Sequence, residues 1–523
     1  MPAAESGLRP RLTPGRSLAE LASLVGATVL TGSPAVRVDG VTASSSQVCP
    51  GDLFAALPGN SVHGVRHARE AVAAGARALF TDVQGAAEWA AHDPDPVPVL
   101  SCPDPRAALG RLSAEVYDNP SARMPVLGVT GTSGKTTTTF LVRAGLAAAG
   151  IETGLIGTVG IFIGAETVKT PFTTPEAPQL QALLAVMAER DIGCVAMEVS
   201  SHALRLGRVA GTGFEVAAFT NLSQDHLDFH TDMEDYFQAK AQLFDGRARR
   251  EVVVIDDEWG RRLVGPDTVT VSAEGRPAHW RAVDVRTATD GSTSFTVRGP
   301  GSSFAAGCRI PGGYNVANTV LACAILAEAG SDGAAVAPAV ARAQVPGRMQ
   351  RVDGDQPFLA VVDYSHKPAG VSGALRALRP LTAGALIIVL GCGGDRDRGK
   401  RAVMGKVAAS DADVLIVTDD NPRSEPPAEI RAAMLAGARQ VATADRATII
   451  EQGDRRRAIE TAIELAGPGD TVLIAGKGHE TGQEVAGVML AFDDVTELRA
   501  ALLARGFSTA EATSIATDGD VTG

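Results

Sequence analysis

Gly131-Thr132-Ser133-Gly134-Lys135-Thr136-Thr137 stands between the apolar run MPVLGV at 124–129 and the helical pattern TFLVRAGLAAAG at 139–150. A short buried strand, a glycine turn and a helix start in that order form a phosphate-binding loop. Glycines let backbone N–H groups approach phosphate oxygens, and the helix N-terminus favours negative charge. Lys135 supplies a cation to the β- and γ-phosphates, and the Thr136 hydroxyl can ligate Mg²⁺. The common form of this loop has a glycine five residues before the one preceding the lysine. Here that place is Val129, so the spacing departs from the standard pattern.

Outward from the loop, apolar strands alternate with polar loops and helical patterns. CVAMEV at 194–199, EVAAFTNL at 215–222 and EVVVID at 251–256 each read as a strand followed by a polar loop. The alternation predicts an α/β, doubly wound parallel sheet over 105–353. Before it, GDLFAAL at 51–57, ARALFTD at 76–82 and the helix HAREAVAAG at 67–75 make a small α/β unit over 1–104. After RVDGDQP the alternation restarts with FLAVVDYSH, ALIIVLGCGG, DVLIVTDDNP and TVLIAGKGHE, a second, Rossmann-like α/β unit over 354–507. The tail 508–523 is small and polar and is expected to be disordered. The unusual polar sequences directly follow the strands, where ligands bind in open α/β sheets.

Composition agrees. A length of 523 residues suits about three domains. Aromatics are only 4%, so the core rests on Val, Leu, Ile and Ala, as in sheets buried on both faces. A net charge of −12 disfavours nucleic acid as a partner. The six cysteines form no CxxC pair, which argues against a zinc site or a disulfide framework. The N-terminus has no apolar signal region and no stretch approaches a membrane span, so the expectation is a cytoplasmic protein without membrane insertion.

Around the loop, Glu198 ends a strand and is a natural Mg²⁺ ligand. His226, in the polar loop after EVAAFTNL, reads equally well as a metal ligand or a packed, hydrogen-bonded histidine. Lys240, in YFQAKAQLF, reads from sequence alone as a solvated helix lysine.

GTSGKTTTT, MEVSSHAL, TNLSQDHLDFH and YFQAKAQLF, followed by PGGYNVANT, VPGRMQRV, DYSHKP, GCGGDRDRGKR, TDDNPRSE and AGKGHE, resemble the Mur ligases over roughly residues 35–490. The resemblance implies a UDP-binding N-terminal domain, a central ATPase domain and a C-terminal amino-acid-binding domain. It implies that ATP, as substrate, drives amide formation through an acyl phosphate on a D-Glu carboxyl. Gly131, Thr132, Ser133, Gly134, Lys135, Thr136 and Thr137 would hold the ATP phosphates. Thr136 and Glu198 would bind one Mg²⁺, and His226 would help bind a second. Lys240 would be carbamylated (N6-carboxylysine) and position that second ion, which reverses its bland reading. Asn315 and Asn318 fall on the adenine side, Arg348 at the phosphates and Asp363 near the ribose. For a UDP-muramoyl dipeptide, Thr173, Thr174, Ser200 and Arg208 match family contacts, and Ser45, Asn60, Ser61 and Val62 match uridine positions. Here the sequence departs from the family: Ser44-Ser45-Ser46 replaces a DSR motif, and Leu206 stands where a glutamine is usual.

The last three motifs are similar to the family enzyme that adds the third residue of the stem peptide in peptidoglycan synthesis. Diaminopimelate differs from lysine by a second carboxylate, which a guanidinium can bind bidentately. The resemblance implies that Asp420-Asn421-Pro422-Arg423 binds diaminopimelate with Arg423 as that cation, which lysine-adding relatives lack. The resemblance makes Arg396 a second contact to the amino acid and has Gly476 and Glu480 receive its amino end. The partners implied are the UDP-muramoyl dipeptide, meso-diaminopimelate and ATP, acted on by a monomer. The rival readings are the same reaction with L-lysine, a folate-tailing polyglutamate ligase, and a nucleotide-dependent regulatory module without ligation.

Overall fold

The computed structural model describes residues 9–509, apart from 60–61, 93–96, 169 and 171. Two compact units emerge. One comprises residues up to 281 together with 320–336, and the other comprises 282–319 with everything from 337 onward. The tail expected to be disordered lies, from residue 510, outside the described residues.

The first unit begins with a five-stranded sheet in the order Thr28–Thr31, Val99–Ser101, Ala78–Thr81, Asp52–Ala55, Gly40–Thr42. All neighbours are parallel except the first pair. Side chains alternate across a strand, and here the alternation feeds two cores. Leu53, Ala55, Ala78 and Phe80 pack with Leu18, Leu21, Leu109 and Leu112 on one face. Phe54 and Leu79 pack with Ala68, Ala71 and Trp89 on the other. The expected strands and the helix Ala68–Ala73 are present, with Gly75 in the left-handed region just beyond it (φ +105°).

The same unit contains a larger parallel array in the order Thr153–Ile156, Cys194–Glu198, Val126–Thr130, Phe214–Phe219, Ala248–Val254, Val269–Ser272. Antiparallel strands Ile161–Ile163 and Glu166–Val168 extend one edge. Val126–Thr130 comes first in the chain but lies in the middle of the array. The strands that follow it go to one side and later strands to the other. This is a topological switch point, and it opens a crevice at the carboxyl ends of the strands.

The second unit is built on a six-stranded sheet, Gln350–Arg351, Leu359–Asp363, Thr471–Ala475, Leu386–Leu390, Val414–Val417, Thr448–Glu451, parallel except for the first pair. Four of these strands are those read from the sequence. Strands Leu386–Leu390 and Thr471–Ala475 are buried along their whole length, which explains their unbroken apolar runs. A hairpin, Gly482–Val485 with Val488–Ala491, follows the last parallel strand. Ser508 N donates to Asp355 and Thr509 pairs with Gly354, so the described chain stays on this unit slightly past residue 507.

Candidate active site

The strand Val126–Thr130 ends in Gly131, whose φ of +142° suits only glycine. A Cβ there would lie 1.8 Å from Thr220 Oγ1. Gly134, also left-handed, caps the helix Lys135–Ala148. The neighbouring strand end braces the turn. Thr132 N donates to Asn221 O at 2.8 Å, Thr220 Oγ1 donates to Ser133 O at 2.7 Å, and Ser133 N donates to Asn221 Oδ1 at 3.0 Å. The turn is held open from outside itself, and the first N–H groups of the helix have no partner within the helix.

Two lysines meet on one backbone oxygen. Lys135 Nζ donates to Gly131 O at 2.8 Å and to Thr132 O at 2.9 Å. Lys240 Nζ donates to the same Gly131 O at 2.7 Å and lies 4.5 Å from the Tyr236 ring centroid. Lys240 is 1% exposed, at the last turn of the helix Met233–Ala241, so the solvated reading of this lysine is wrong. Burial first, and then the neighbouring charge of Lys135, hold its ammonium well below the ordinary lysine value, against the opposing pull of Asp225.

Glu198 is buried and faces Thr136. Thr136 Oγ1 donates to Glu198 Oε2 at 3.0 Å, and Thr158 donates its N–H and hydroxyl to the two carboxylate oxygens at 2.9 and 3.1 Å. A hydroxyl and a carboxylate are hard oxygen donors of the kind Mg²⁺ takes beside phosphate oxygens and water. The pair therefore fits Mg²⁺ chemically. Among the described residues no cluster of three or more His, Cys, Asp or Glu could hold a metal by itself. His226 adopts φ +54° and has its Nε2 3.5 Å from Asp225 Oδ2. Its ring meets His202 edge-on at 4.9 Å, and His202 stacks on Phe229 at 4.0 Å. Burial, assisted by His230, lowers the His202 pKa.

Thr173, Thr174, Ser200 and Arg208 also gather here. Thr158 and Thr173 hydroxyls are 3.0 Å apart, Thr174 Oγ1 donates to Glu198 O at 2.9 Å, and Ser200 N donates to Thr174 Oγ1 at 3.2 Å. Arg208 Nη1 donates to Thr174 O at 3.0 Å, while Nη2 pairs with Glu176 at 2.7 Å. Ser45 starts a 3₁₀ turn, Ser45–Gln47, beside a Ser44–Ser46 hydroxyl contact of 3.0 Å. Val62 is exposed, and Asn60 and Ser61 lie outside the described residues.

In the second unit Asp363 ends a strand and is spent on bracing. Met349 N donates to its Oδ2 at 2.8 Å, and Ser365 donates its N–H and hydroxyl to Oδ1. Arg348 lies over the Tyr364 ring at 4.6 Å. Asn315 and Asn318 are buried at the start of a helix. Asn318 Nδ2 donates to Asn315 Oδ1 at 2.9 Å, and Asn315 Nδ2 donates to Pro311 O at 2.8 Å.

Three loops at the carboxyl ends of this sheet interlock. Gly394 N donates to Asn421 O at 2.8 Å, and a Cβ on Gly394 would lie 1.9 Å from Pro422 O. Gly476, at φ +113°, leaves no room for a Cβ beside Asp420 Oδ2, 2.6 Å away. Arg423 adopts φ +52°. Its main chain pairs with the hairpin, Arg423 N donating to Glu484 O at 2.9 Å and Ala486 N to Arg423 O at 2.7 Å. Its Nη1 donates to Gly394 O at 2.7 Å, and its Nε stands 3.3 Å from Glu484 Oε2. Asn421 Nδ2 donates to Glu480 Oε2 at 2.8 Å. Arg396 is exposed beside them. The sequence reading missed Thr158, Tyr236, Glu176, Lys477 and Glu484. Tyr236 and Lys477 lie inside motifs read from the sequence, YFQAKAQLF and AGKGHE, but carry no signal of their own there, and Thr158, Glu176 and Glu484 belong to no recognisable spacing.

A glycine turn between strand and helix, a lysine on the turn and a carboxylate–hydroxyl pair at a switch point define a P-loop-type nucleotide-binding α/β protein. Three family models match successive segments: "Mur ligase family, catalytic domain" at residues 37–117, "Mur ligase middle domain" at 129–326 and "Mur ligase, glutamate ligase domain" at 347–478. The chain belongs to the Mur ligase family. Among its relatives, the UDP-N-acetylmuramoyl-L-alanyl-D-glutamate–2,6-diaminopimelate ligase of Streptomyces avermitilis is 52% identical, over 94% of this chain and 98% of its own length. The ligase of the same name from Corynebacterium glutamicum is 49% identical, over 90% and 92%. A solved structure of a UDP-N-acetylmuramoyl-L-alanyl-D-glutamate–2,6-diaminopimelate ligase aligns with a TM-score of 0.68 at 32% identity, covering 94% of this chain and 99% of that one.

Proposed function

We propose that the protein is an ATP-dependent ligase joining meso-2,6-diaminopimelate to the D-Glu carboxyl of UDP-N-acetylmuramoyl-L-Ala-D-Glu, in peptidoglycan precursor synthesis. The observation that carries the choice of amino acid is the interlocked array of Arg423, Asn421 and Glu480. It sets a guanidinium for a carboxylate on one loop and a carboxylate for an ammonium on the next, tied together through one amide.

The chemistry divides among named groups. The helix N-terminus after Gly134 and Lys135 hold the nucleotide phosphates, Lys135 exchanging its loop carbonyls for phosphate oxygens. Thr136 and Glu198 would hold Mg²⁺, with His226 contributing to a second ion, and Mg²⁺ bound there would neutralise charge on the transferring phosphoryl group. Thr173, Thr174, Ser200 and Arg208 orient the muramoyl dipeptide, and Ser45, with Asn60, Ser61 and Val62, takes the uridine end. Asn315, Asn318, Arg348 and Asp363 serve the nucleotide. A D-Glu carboxylate oxygen attacks the γ-phosphorus and the bond to ADP breaks. The neutral amine then attacks the acyl carbon, phosphate leaves and the amine gives up a proton. Arg423 and Arg396 hold the amino acid's carboxylates, and Gly476 and Glu480 hold its amino end. Lys240 is the residue for carbamylation. A carbamate forms only from a neutral amine, and burial beside Lys135 supplies one.

The test is phosphate release from ATP with the UDP-muramoyl dipeptide and a panel of diamino acids. The expected result is turnover that needs both substrates and prefers meso-diaminopimelate. Preference for L-lysine, or ATP turnover without any amine, would overturn the proposal.

A further inference from the structure

Lys477 lies between Gly476 and Gly478 and is fully buried, 0% exposed. A buried ammonium needs all three of its protons accepted. The three acceptors are Gly482 O at 2.6 Å, Asn421 Oδ1 at 3.2 Å and Glu480 Oε2 at 3.3 Å. Each belongs to a different part of the array: the start of the hairpin, the loop that carries Arg423, and the residue assigned to the substrate's amine.

The contacts have a direction. With its oxygen turned to the lysine, and also accepting Glu484 N at 2.9 Å, the Asn421 amide must point its nitrogen at Glu480. Glu480 Oε2 thus takes both Asn421 and Lys477, and the protein donors are gathered on that one oxygen. A carboxylate loaded on one side presents its second oxygen, Oε1, to an incoming ammonium. Without the cation the amide loses its orienting charge, and Glu480 stands half-buried with only an amide for support.

We propose that Lys477 is a positioning residue for the amine end of the incoming amino acid. It acts through Glu480 and Asn421 and does not itself touch the substrate. The proposal rests on the reading that Glu480 receives that amine.

The experiment is a double-mutant cycle on the whole chain, using Lys477→Met, which keeps all but the last atom of the side chain's length and removes the charge, Glu480→Gln, and the pair. KM and kcat are measured for meso-diaminopimelate and, separately, for ATP. Lys477→Met should raise the KM for diaminopimelate about tenfold or more, consistent with the loss of a charged hydrogen bond, and leave the KM for ATP within about twofold. On the Glu480→Gln background the same substitution should change the diaminopimelate KM little. Additive effects, or equal losses for both substrates, would overturn the role of Lys477. A Glu480→Gln variant with unaltered diaminopimelate KM would instead sink the underlying reading of Glu480. If Lys477→Met does not fold, Asn421→Asp reports the same link. Its carboxylate still accepts from Lys477 but cannot donate to Glu480, so the diaminopimelate KM should rise while the ATP KM holds. An unchanged diaminopimelate KM would overturn the proposal.

Discussion

Gly131 O accepts from two lysines, and two full positive charges on one carbonyl repel. Burial first, and the charge of Lys135 second, hold the Lys240 ammonium well below the ordinary lysine value. Between its lowered folded pKa and its ordinary value of 10.5 the unfolded chain binds the proton that the native state has shed. Stability from this group therefore rises with pH across that window, and the penalty is fully present below it. Denaturation of wild type against Lys240→Met over pH 6–10 should show the wild type gaining relative to the variant as pH rises; a constant difference would contradict the shifted titration. The same variant should lose ligation by roughly 10²-fold or more, the scale of removing one transition-state stabilising group, read as phosphate release. Nothing in YFQAKAQLF distinguishes a buried lysine from a solvated one. What buries Lys240 is contact with a loop 109 residues away in sequence, which periodicity cannot register. Arg423 raises a different issue. Its guanidinium has a fork geometry, and two of its nitrogens already engage Gly394 and Glu484. Arg423→Lys should raise the diaminopimelate KM by about 10- to 100-fold with ATP binding unchanged, measured by steady-state kinetics; equal effects on both substrates would remove it from specificity.

At the scale of elements, buried strands announced themselves and edges did not. Leu386–Leu390 and residues 472–475 of Thr471–Ala475 read as unbroken apolar runs because every residue of both strands is buried. Thr448–Glu451, at the sheet's edge, carries only two apolar residues between exposed ends and gives no such signal. The loops that follow the strands stand out in the sequence as candidate site material because polar residues cluster directly after apolar runs. Their mutual bracing was not legible, since the bonds join distant parts of the chain. One brace is wholly interior. Arg455 forms a bidentate pair with Asp494 at 2.7 and 2.8 Å, both side chains 0% exposed, and donates to Ala475 O at 3.0 Å. It joins the first turns of two helices to the end of the strand that feeds Gly476–Glu480. Asp494→Ala strands a buried guanidinium and should cost about 3–5 kcal/mol in denaturant unfolding of the second unit; a loss below about 1 kcal/mol would place the pair effectively in water.

The whole molecule carries −12 yet is proposed to bind anionic substrates. Attraction must come from local cations such as Lys135, Arg208 and Arg423, because the global field opposes association. Each unit has its own core, so unfolding is expected to depart from a single two-state transition. A non-hydrolysable ATP analogue with Mg²⁺ at about 100 times its Kd should add about 2.7 kcal/mol to native-state stability, seen by calorimetry as a shifted transition; no shift would contradict nucleotide binding. The three matched family segments follow one another in the order the sequence motifs implied. Finally, because the backbone of Arg423 is stitched into the hairpin at Glu484 and Ala486, amino-acid preference is not portable as a four-letter cassette. Transplanting residues 420–423 into a lysine-adding relative should leave its preference for lysine largely intact, and carrying residues 482–491 along with them should be what converts the recipient.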